Sequence, residues 1–142
     1  MDPSDWNEFG RRYAEAWCSQ DGDRVAALYA EGGSLSVNDG TPAVGRAAIA
    51  QVARGFMTDF PDVTVTMDEI EPQLKGGAIF RWTLTGTNTG SGGKGKRVRM
   101  RGFEEWRLSP DGFIAESKGH FDAMDYQRQL EHGDGNPTLN DP

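Results

Sequence analysis

The amino-acid sequence predicts an α+β domain with its helices first and an antiparallel sheet after them, and three observations carry that prediction. Apolar residues recur at spacings of three and four between Trp6 and Phe60, the period of a helix buried along one side. From Val63 the period falls to two, and it returns in each later segment as far as Phe121. At 142 residues the chain is one domain with room for a real core, so the helices are expected to lie against one face of a curved sheet.

Taken in order, Trp6, Phe9, Tyr13, Ala16 and Trp17 mark an amphipathic helix from about Pro3 to Ser19, with proline near the start, where a missing N–H costs nothing. Gln20 to Asp23 read as a polar turn. Val25, Leu28 and Tyr29 then continue a short second helix that ends before Gly32 and Gly33. Leu35 and Val37 suggest a short strand, and Asn38, Asp39, Gly40 and Pro42 a turn. Ile49, Val52, Phe56 and Phe60 define a third helix stopped by Pro61.

Val63, Val65 and Met67 alternate with Thr64, Thr66 and Asp68, which opens the sheet. Three further strands are expected at 78–88, 97–108 and 113–121. A glycine-rich loop separates the first two, and Ser109-Pro110-Asp111-Gly112, a strong turn signal, separates the last two. A final short helix runs from Ala123 to about Glu131. Residues 132–142, rich in Gly, Asn, Asp and Pro, are expected to be a flexible tail, leaving 1–131 as the single domain.

The net charge of −7 and a pI near 4.8 argue against nucleic acid and anionic membrane surfaces as partners, since both reward positive charge. Small molecules and protein partners remain. No apolar run is long enough to span a bilayer, and MDPSDWNEFG is no secretion signal, so a soluble, cytoplasmic protein is expected. One cysteine, Cys18, excludes an internal disulfide, and one Cys with two His excludes a Cys/His zinc site. No metal or organic cofactor is expected.

Two charged segments have bland readings. Lys94, Lys96, Arg97, Arg99 and Arg101 form a basic run that reads as a solvated or salt-bridged strand face. GSGGKGKR at 90–97 nearly matches a phosphate-binding loop, but Arg97 replaces the required hydroxyl and a strand follows instead of a helix. It reads as a hairpin connection.

The most informative segment is the last strand, where Glu116, Lys118, His120 and Asp122 occupy every second position while Ala115, Ser117, Gly119 and Phe121 between them are small or apolar. One face is therefore charged. It either meets water or lines a cavity in which a carboxylate beside an imidazole moves protons. Asp122 itself, at the joint of strand and helix, is either a helix N-cap or a general base whose pKa is set by an apolar pocket and by His120 or Lys118. Trp17, Phe56, Phe60 and Trp82 are available to line such a pocket, or simply to fill the core.

The ending from Asp111-Gly112 to Asp122-Ala-Met-Asp-Tyr-Gln-Arg-Gln129-Leu130 resembles that of the SnoaL-like polyketide cyclases, also called ester cyclases, of the NTF2-like superfamily. Tyr13-Ala-Glu-Ala-Trp17, Gly45-Arg-Ala-Ala-Ile49, Phe60-Pro-Asp62-Val63, Arg81-Trp82, Gly86-Thr-Asn-Thr-Gly90, Gly95-Lys96 and Arg101-Gly102 agree in the same order, so the likeness covers about residues 5 to 131.

The resemblance implies a cone of curved, mixed or antiparallel sheet closed by N-terminal helices around an apolar pocket, and a homodimer formed through the outer sheet face. Asp122 falls on the family's acid/base aspartate. Where the family often has histidine this chain has Asn88, where it often has histidine or aspartate it has Glu104, and where it commonly has tryptophan it has Lys118. Trp82 and Asn88 share one side of their strand, as do Glu104 and Trp106 of theirs. If these sides and the Asp122 face meet, the cavity holds carboxylates, an imidazole, an amide and indoles.

The expected activity is that of a cyclase-like enzyme on a hydrophobic carbonyl compound. Asp122 would remove a proton beside the carbonyl, Asn88 or His120 would bond the enolate oxygen, and Lys118 would join the aromatic groups in holding the ligand. A non-catalytic binding or association module on the same fold is the alternative, as is a hydrolase or dehydratase in which Glu104 activates water.

Overall fold

The computed structural model describes residues 3–90 and 92–134. Helix α1 (Pro3–Cys18) and the short α2 (Gly22–Ala26) precede strand β1 (Tyr29–Val37) and a two-residue β2 (Ala43–Val44). Helix α3 (Arg46–Asp59) leads into β3 (Thr64–Pro72), β4 (Gly77–Thr87), β5 (Arg97–Leu108) and β6 (Ile114–Phe121), and α4 (Ala123–His132) follows. The flexible tail expected at 132–142 falls largely outside the described residues. Among the described residues no helix is long and apolar enough to cross a membrane.

The strands form one sheet in the order β2-β1-β6-β5-β4-β3. All pairs are antiparallel except β1 with β6, which run parallel, so the sheet is mixed. The register breaks between Tyr29 and Ser34, Met67 and Glu69, and Arg107 and Leu108, irregularities of the kind by which a sheet bends. The concave side carries the core.

Local chemistry explains the helices. α1 buries Trp6, Phe9, Tyr13, Ala14, Ala16 and Trp17 and leaves Asn7, Glu8, Arg11, Arg12 and Glu15 in water, the stripe its spacing predicted. Gly10 lets it approach β3, because a Cβ there would stand 2.5 Å from Met67 Sδ. In α3 the buried face is Ile49, Ala50, Ala53 and Met57. Its chain leaves through Phe60, which is fully buried ahead of Pro61.

One expected element differs. Tyr29 does not end the second helix but begins β1, which is nine residues long where the sequence suggested only Leu35 and Val37. Gly32 and Gly33 fall inside this strand, where its register with β6 breaks. A Cβ at Gly33 would stand 2.7 Å from the carbonyl oxygen of Ile114, so glycine there reports close approach to β6 rather than a helix stop.

One side chain of α4 completes the open edge of β5. β6 covers β5 only from Gly102 to Leu108, which leaves the backbone of Arg99 without a strand partner on that side. The buried Gln129 replaces it: its Oε1 accepts from Arg99 N at 2.6 Å and its Nε2 donates to Arg99 O at 2.9 Å.

Candidate functional site

The concave face of the sheet and helices α1, α3 and α4 enclose an apolar cavity lined by Trp17, Phe56, Trp82, Met100, Glu104 and Phe121, with further aliphatic residues and Tyr126 at its sides. The cavity volume is about 60 Å³, within about 640 Å³ of unfilled space that includes its open mouth. No Lys, Arg or His is among the lining residues. Glu104 is the one carboxyl group there.

Strand pairing explains why Glu104 faces inward. On β4 and β5 the even-numbered side chains Phe80, Trp82, Leu84, Val98, Met100, Glu104 and Trp106 are buried and the odd-numbered ones are more exposed. Glu104 lies opposite Gly119 of β6, whose missing side chain leaves space beside the carboxyl. Glu104 keeps only 7 % of its surface. A lone ionised carboxylate so placed would be very costly.

Three donors meet it, all on one oxygen. Oε1 accepts from the Ser117 hydroxyl at 2.6 Å, the Tyr13 hydroxyl at 2.8 Å and the Trp106 indole N–H at 2.9 Å. The Tyr13 hydroxyl also meets that of Tyr29 at 2.8 Å, so a buried chain of hydroxyls ends on the carboxyl. Oε2 has no hydrogen-bond partner among the described residues and is the oxygen left to the cavity.

Burial raises the Glu104 pKa above its ordinary value, opposed by the bonds from Ser117, Trp106 and Tyr13. Burial also pushes the Tyr13 and Tyr29 phenols well up, with the neighbouring Glu104 charge adding to it, so both remain protonated donors. Because Oε1 is fully occupied by donors, a proton bound to Glu104 sits on Oε2, toward the cavity. This is the geometry of a group that gives or takes one proton in an apolar site.

Two further polar groups stand out among the lining residues. The indole Nε1 atoms of Trp17 and Trp82 are buried without a hydrogen-bond partner. The Trp17 indole acts on the Tyr13 phenol as a hydrogen-bonding neighbour that opposes the rise of its pKa. An unmatched buried donor costs about 1–3 kcal/mol. Gly102 makes room for Trp82: a Cβ there would be 2.4 Å from its Cζ2, so the indole lies across β5 and meets Phe121 edge-on at 6.3 Å.

Of the residues singled out from sequence, Trp17, Phe56, Trp82 and Glu104 line the cavity. Trp106 stands behind it, stacked on Phe80 at 4.8 Å and donating to Glu104. Phe60 is plain core beneath Gly86 and Tyr126.

The charged face of β6 is the correction. Glu104 pairs with Gly119 and Trp106 with Ser117, so the inward side of β6 is Ser117, Gly119 and Phe121. Lys118 and His120 project from the opposite side. His120 Nε2 lies 2.8 Å from Glu105 Oε2 and its ring stacks on Phe103 at 4.7 Å.

Asn88 also lies away from the cavity. Its side-chain amide donates to Asp59 O and its backbone closes the β4–β5 loop against Gly95 and Lys96. Asp122 is exposed, and its Oδ1 accepts from Asp125 N at 3.0 Å as the N-cap of α4. It is not among the lining residues, though it directly follows Phe121 and precedes Tyr126 by one turn, both of which line the cavity.

Sequence reasoning missed Tyr13, Tyr29 and Ser117 as partners of Glu104. Tyr13 was legible as a core position of α1, and Ser117 as one of the small residues of β6. Nothing in the linear sequence signals that their hydroxyls converge, because the contacts span 91 and 13 positions. Among the described residues no group of three or more His, Cys, Asp or Glu is arranged to hold a metal ion.

Comparison with known proteins agrees with this architecture. A putative SnoaL-like polyketide cyclase from Jannaschia sp. superposes with a TM-score of 0.77 at 17 % identity, over 94 % of this chain and 98 % of that one. A hypothetical protein of ketosteroid isomerase-like fold from Catenulispora acidiphila, solved with trimethylamine, gives 0.77 at 15 %, over 92 % and 95 %. SalBIII, an epoxide hydrolase/cyclase-like enzyme of pyran ring formation in the polyether salinomycin, gives 0.75 at 17 %, over 87 % and 95 %. At such identities these likenesses establish the NTF2-like fold. No curated protein matches the sequence. The family profile of the SnoaL-like polyketide cyclases, however, matches residues 7–130, nearly the whole described chain, and this protein belongs to that family.

Proposed function

We propose that the protein is a cofactor-independent enzyme that moves a proton on a hydrophobic carbonyl compound held in the cavity, in the manner of a cyclase of its family, and that Glu104 is the group that moves it. The observation that carries this reading is the asymmetry of the Glu104 carboxyl, with three donors on Oε1 and an unpartnered Oε2 in an apolar cavity. As carboxylate, Glu104 takes a proton from the carbon beside the carbonyl onto Oε2. As acid, it returns a proton to the substrate. The three fixed donors on Oε1 hold the charge between these steps without reorganisation. Confinement of a flexible substrate in a shaped cavity supplies the rest of a ring closure.

Asp122 gives a second reading, supported by its place in the chain between Phe121 and Tyr126, which both line the cavity. There it would act on a substrate that projects from the mouth. Hydrogen–deuterium exchange beside the carbonyl of small apolar ketones, followed by proton NMR, separates the two. Glu104→Gln is expected to lower the exchange rate about 10²- to 10⁴-fold, and Asp122→Asn to leave it within a few-fold. Loss in Asp122→Asn with retention in Glu104→Gln would transfer the role to Asp122, and equal rates in all three proteins would favour a binding module.

From the family resemblance we further propose a homodimer through the outer face of β5 and β6, where Phe103 remains 37 % exposed. Sedimentation equilibrium of Phe103→Glu tests this: a monomer where the native chain is dimeric supports it, and a monomeric native chain refutes it.

A further inference from the structure

We propose that Tyr29 is a positioning residue for the Glu104 carboxyl and acts on it through the Tyr13 hydroxyl, whose proton it holds on Oε1 so that Oε2 alone exchanges a proton with the cavity. The inference deepens the reading of Glu104 as the proton-moving group and rests on it.

The hydroxyl chain has one direction. A carboxylate oxygen only accepts, so the single proton of the Tyr13 hydroxyl is committed to Glu104 Oε1. Toward Tyr29, 2.8 Å away, the Tyr13 oxygen is then an acceptor, and the proton between the two phenols belongs to Tyr29. Tyr29 therefore donates to Tyr13, and Tyr13 to Glu104. For Glu104 to hold its own proton on Oε1 and donate it to Tyr13, the Tyr13 proton would have to turn toward Tyr29, where the Tyr29 proton already points. The Tyr29 hydroxyl closes that arrangement and keeps the Glu104 proton on Oε2. A hydroxyl that accepts one hydrogen bond also donates a stronger one, so Tyr29 favours the ionised carboxyl without touching it.

Tyr29 is placed to hold its hydroxyl still. It is fully buried at the start of β1, its backbone pairs with Ile114 of β6, and its carbonyl oxygen accepts from Arg46 Nε at 2.9 Å. Its ring is tilted against that of Tyr13 at 6.1 Å. The Ser117 hydroxyl is the other hydrogen-bonding neighbour of its phenol and offers a rival route to Oε1. Around the carboxyl the titratable groups are Tyr13 from α1, Tyr29 from β1 and, lining the same cavity, Tyr126 from α4. No titratable side chain of α3, β4 or β6 lines the cavity.

The test is a carbon-13 titration of the Glu104 carboxyl in the native protein, Tyr29→Phe, Tyr13→Phe and the double variant. Tyr29→Phe keeps the ring and leaves no donor unmatched, so the fold is retained. It is expected to lower the Glu104 ionisation constant by about two- to fourfold and to move the acid limb of ketone exchange to higher pH by the same amount. Tyr13→Phe is expected to lower the constant further. Adding Tyr29→Phe to Tyr13→Phe is expected to change nothing more, the non-additivity that marks action through Tyr13.

An unchanged Glu104 titration in Tyr29→Phe, or an effect of Tyr29→Phe that persists at full size beside Tyr13→Phe, would overturn the proposal. If Tyr13→Phe does not fold, the same cycle with Ser117→Ala decides: the Tyr29 effect retained there in full supports the proposal, and its disappearance assigns the route to Ser117 and overturns it. The carboxyl titration is independent of turnover. A shifted titration with unimpaired exchange in Glu104→Gln would refute the role of Glu104 in turnover and leave the coupling standing, and an unshifted titration with exchange lost in Glu104→Gln would do the reverse.

Discussion

Glu104→Gln separates the charge of the buried carboxyl from its shape. The Gln carbonyl can occupy the place of Oε1 and keep the bonds from Tyr13, Trp106 and Ser117, with its amide turned to the cavity. Only the titratable proton is lost. Burial raises the pKa of Glu104 in the folded protein above its ordinary 4.5, the value expected of the unfolded chain. Between those two values the folded state holds more protons than the unfolded one. Stability from this group is therefore fully present below the unfolded value, falls as pH rises through the folded value, and is flat above it.

Each pKa unit of elevation is worth about 1.4 kcal/mol, which for a domain of this size is about 4–6 °C in Tm. The Gln variant escapes that loss. Thermal melts of both proteins by circular dichroism, from about pH 4 to about pH 8, are expected to converge at the acid end, with the variant more stable at the neutral end. A Tm difference that is constant across this range, or that grows in favour of the native protein as pH rises, would refute the burial argument.

Other perturbations probe the shell around this carboxyl. Ser117→Ala removes the shortest of the three bonds to Oε1, and with it a group that favours the ionised form. The variant is expected to lose about 1–2 kcal/mol in urea unfolding and to shift the acid limb of Glu104-dependent exchange, where the rate rises as the carboxyl ionises, to higher pH. Gly102→Ala places a Cβ 2.4 Å from Trp82 Cζ2 and 2.5 Å from the His120 carbonyl oxygen. One of these contacts is rigid backbone, so a loss of about 1–3 kcal/mol is expected, together with a changed Trp82 indole cross-peak; an unchanged Tm and spectrum would show that the indole does not lie across β5.

The fold was legible in sequence because its periods are clean. The spacing from Trp6 to Trp17 gave the buried face of α1, and the alternation from Arg97 to Leu108 gave β5 its two sides with Glu104 and Trp106 together. What misled was parity across strands. Residues paired in a sheet share a face whatever their numbers, and β5 pairs even positions with odd positions of β6. The charged series Glu116, Lys118 and His120 therefore belongs to the outer face, and the quiet residues Ser117, Gly119 and Phe121 to the cavity.

Register is set by turn and bulge geometry, here a break between Arg107 and Leu108, which composition does not reveal. β1 was understated for a related reason: its glycines look like helix punctuation until the close passage of β6 explains them. The hydroxyl network on Glu104 is tertiary throughout, joining α1, β1, β5 and β6. Its members were visible in sequence only as core or small residues.

If Glu104 handles the proton of the cavity, its own titration shows it. Carbon-13 NMR of the glutamate carboxyl carbons, with Glu104 assigned by the Glu104→Gln variant, reads this pKa in the native protein. The Glu104 carboxyl is expected to titrate above 4.5, and higher still in Ser117→Ala. A value at or below 4.5 would mean that water or the three donors outweigh burial, and would contradict the reading of this carboxyl as poised in an apolar cavity.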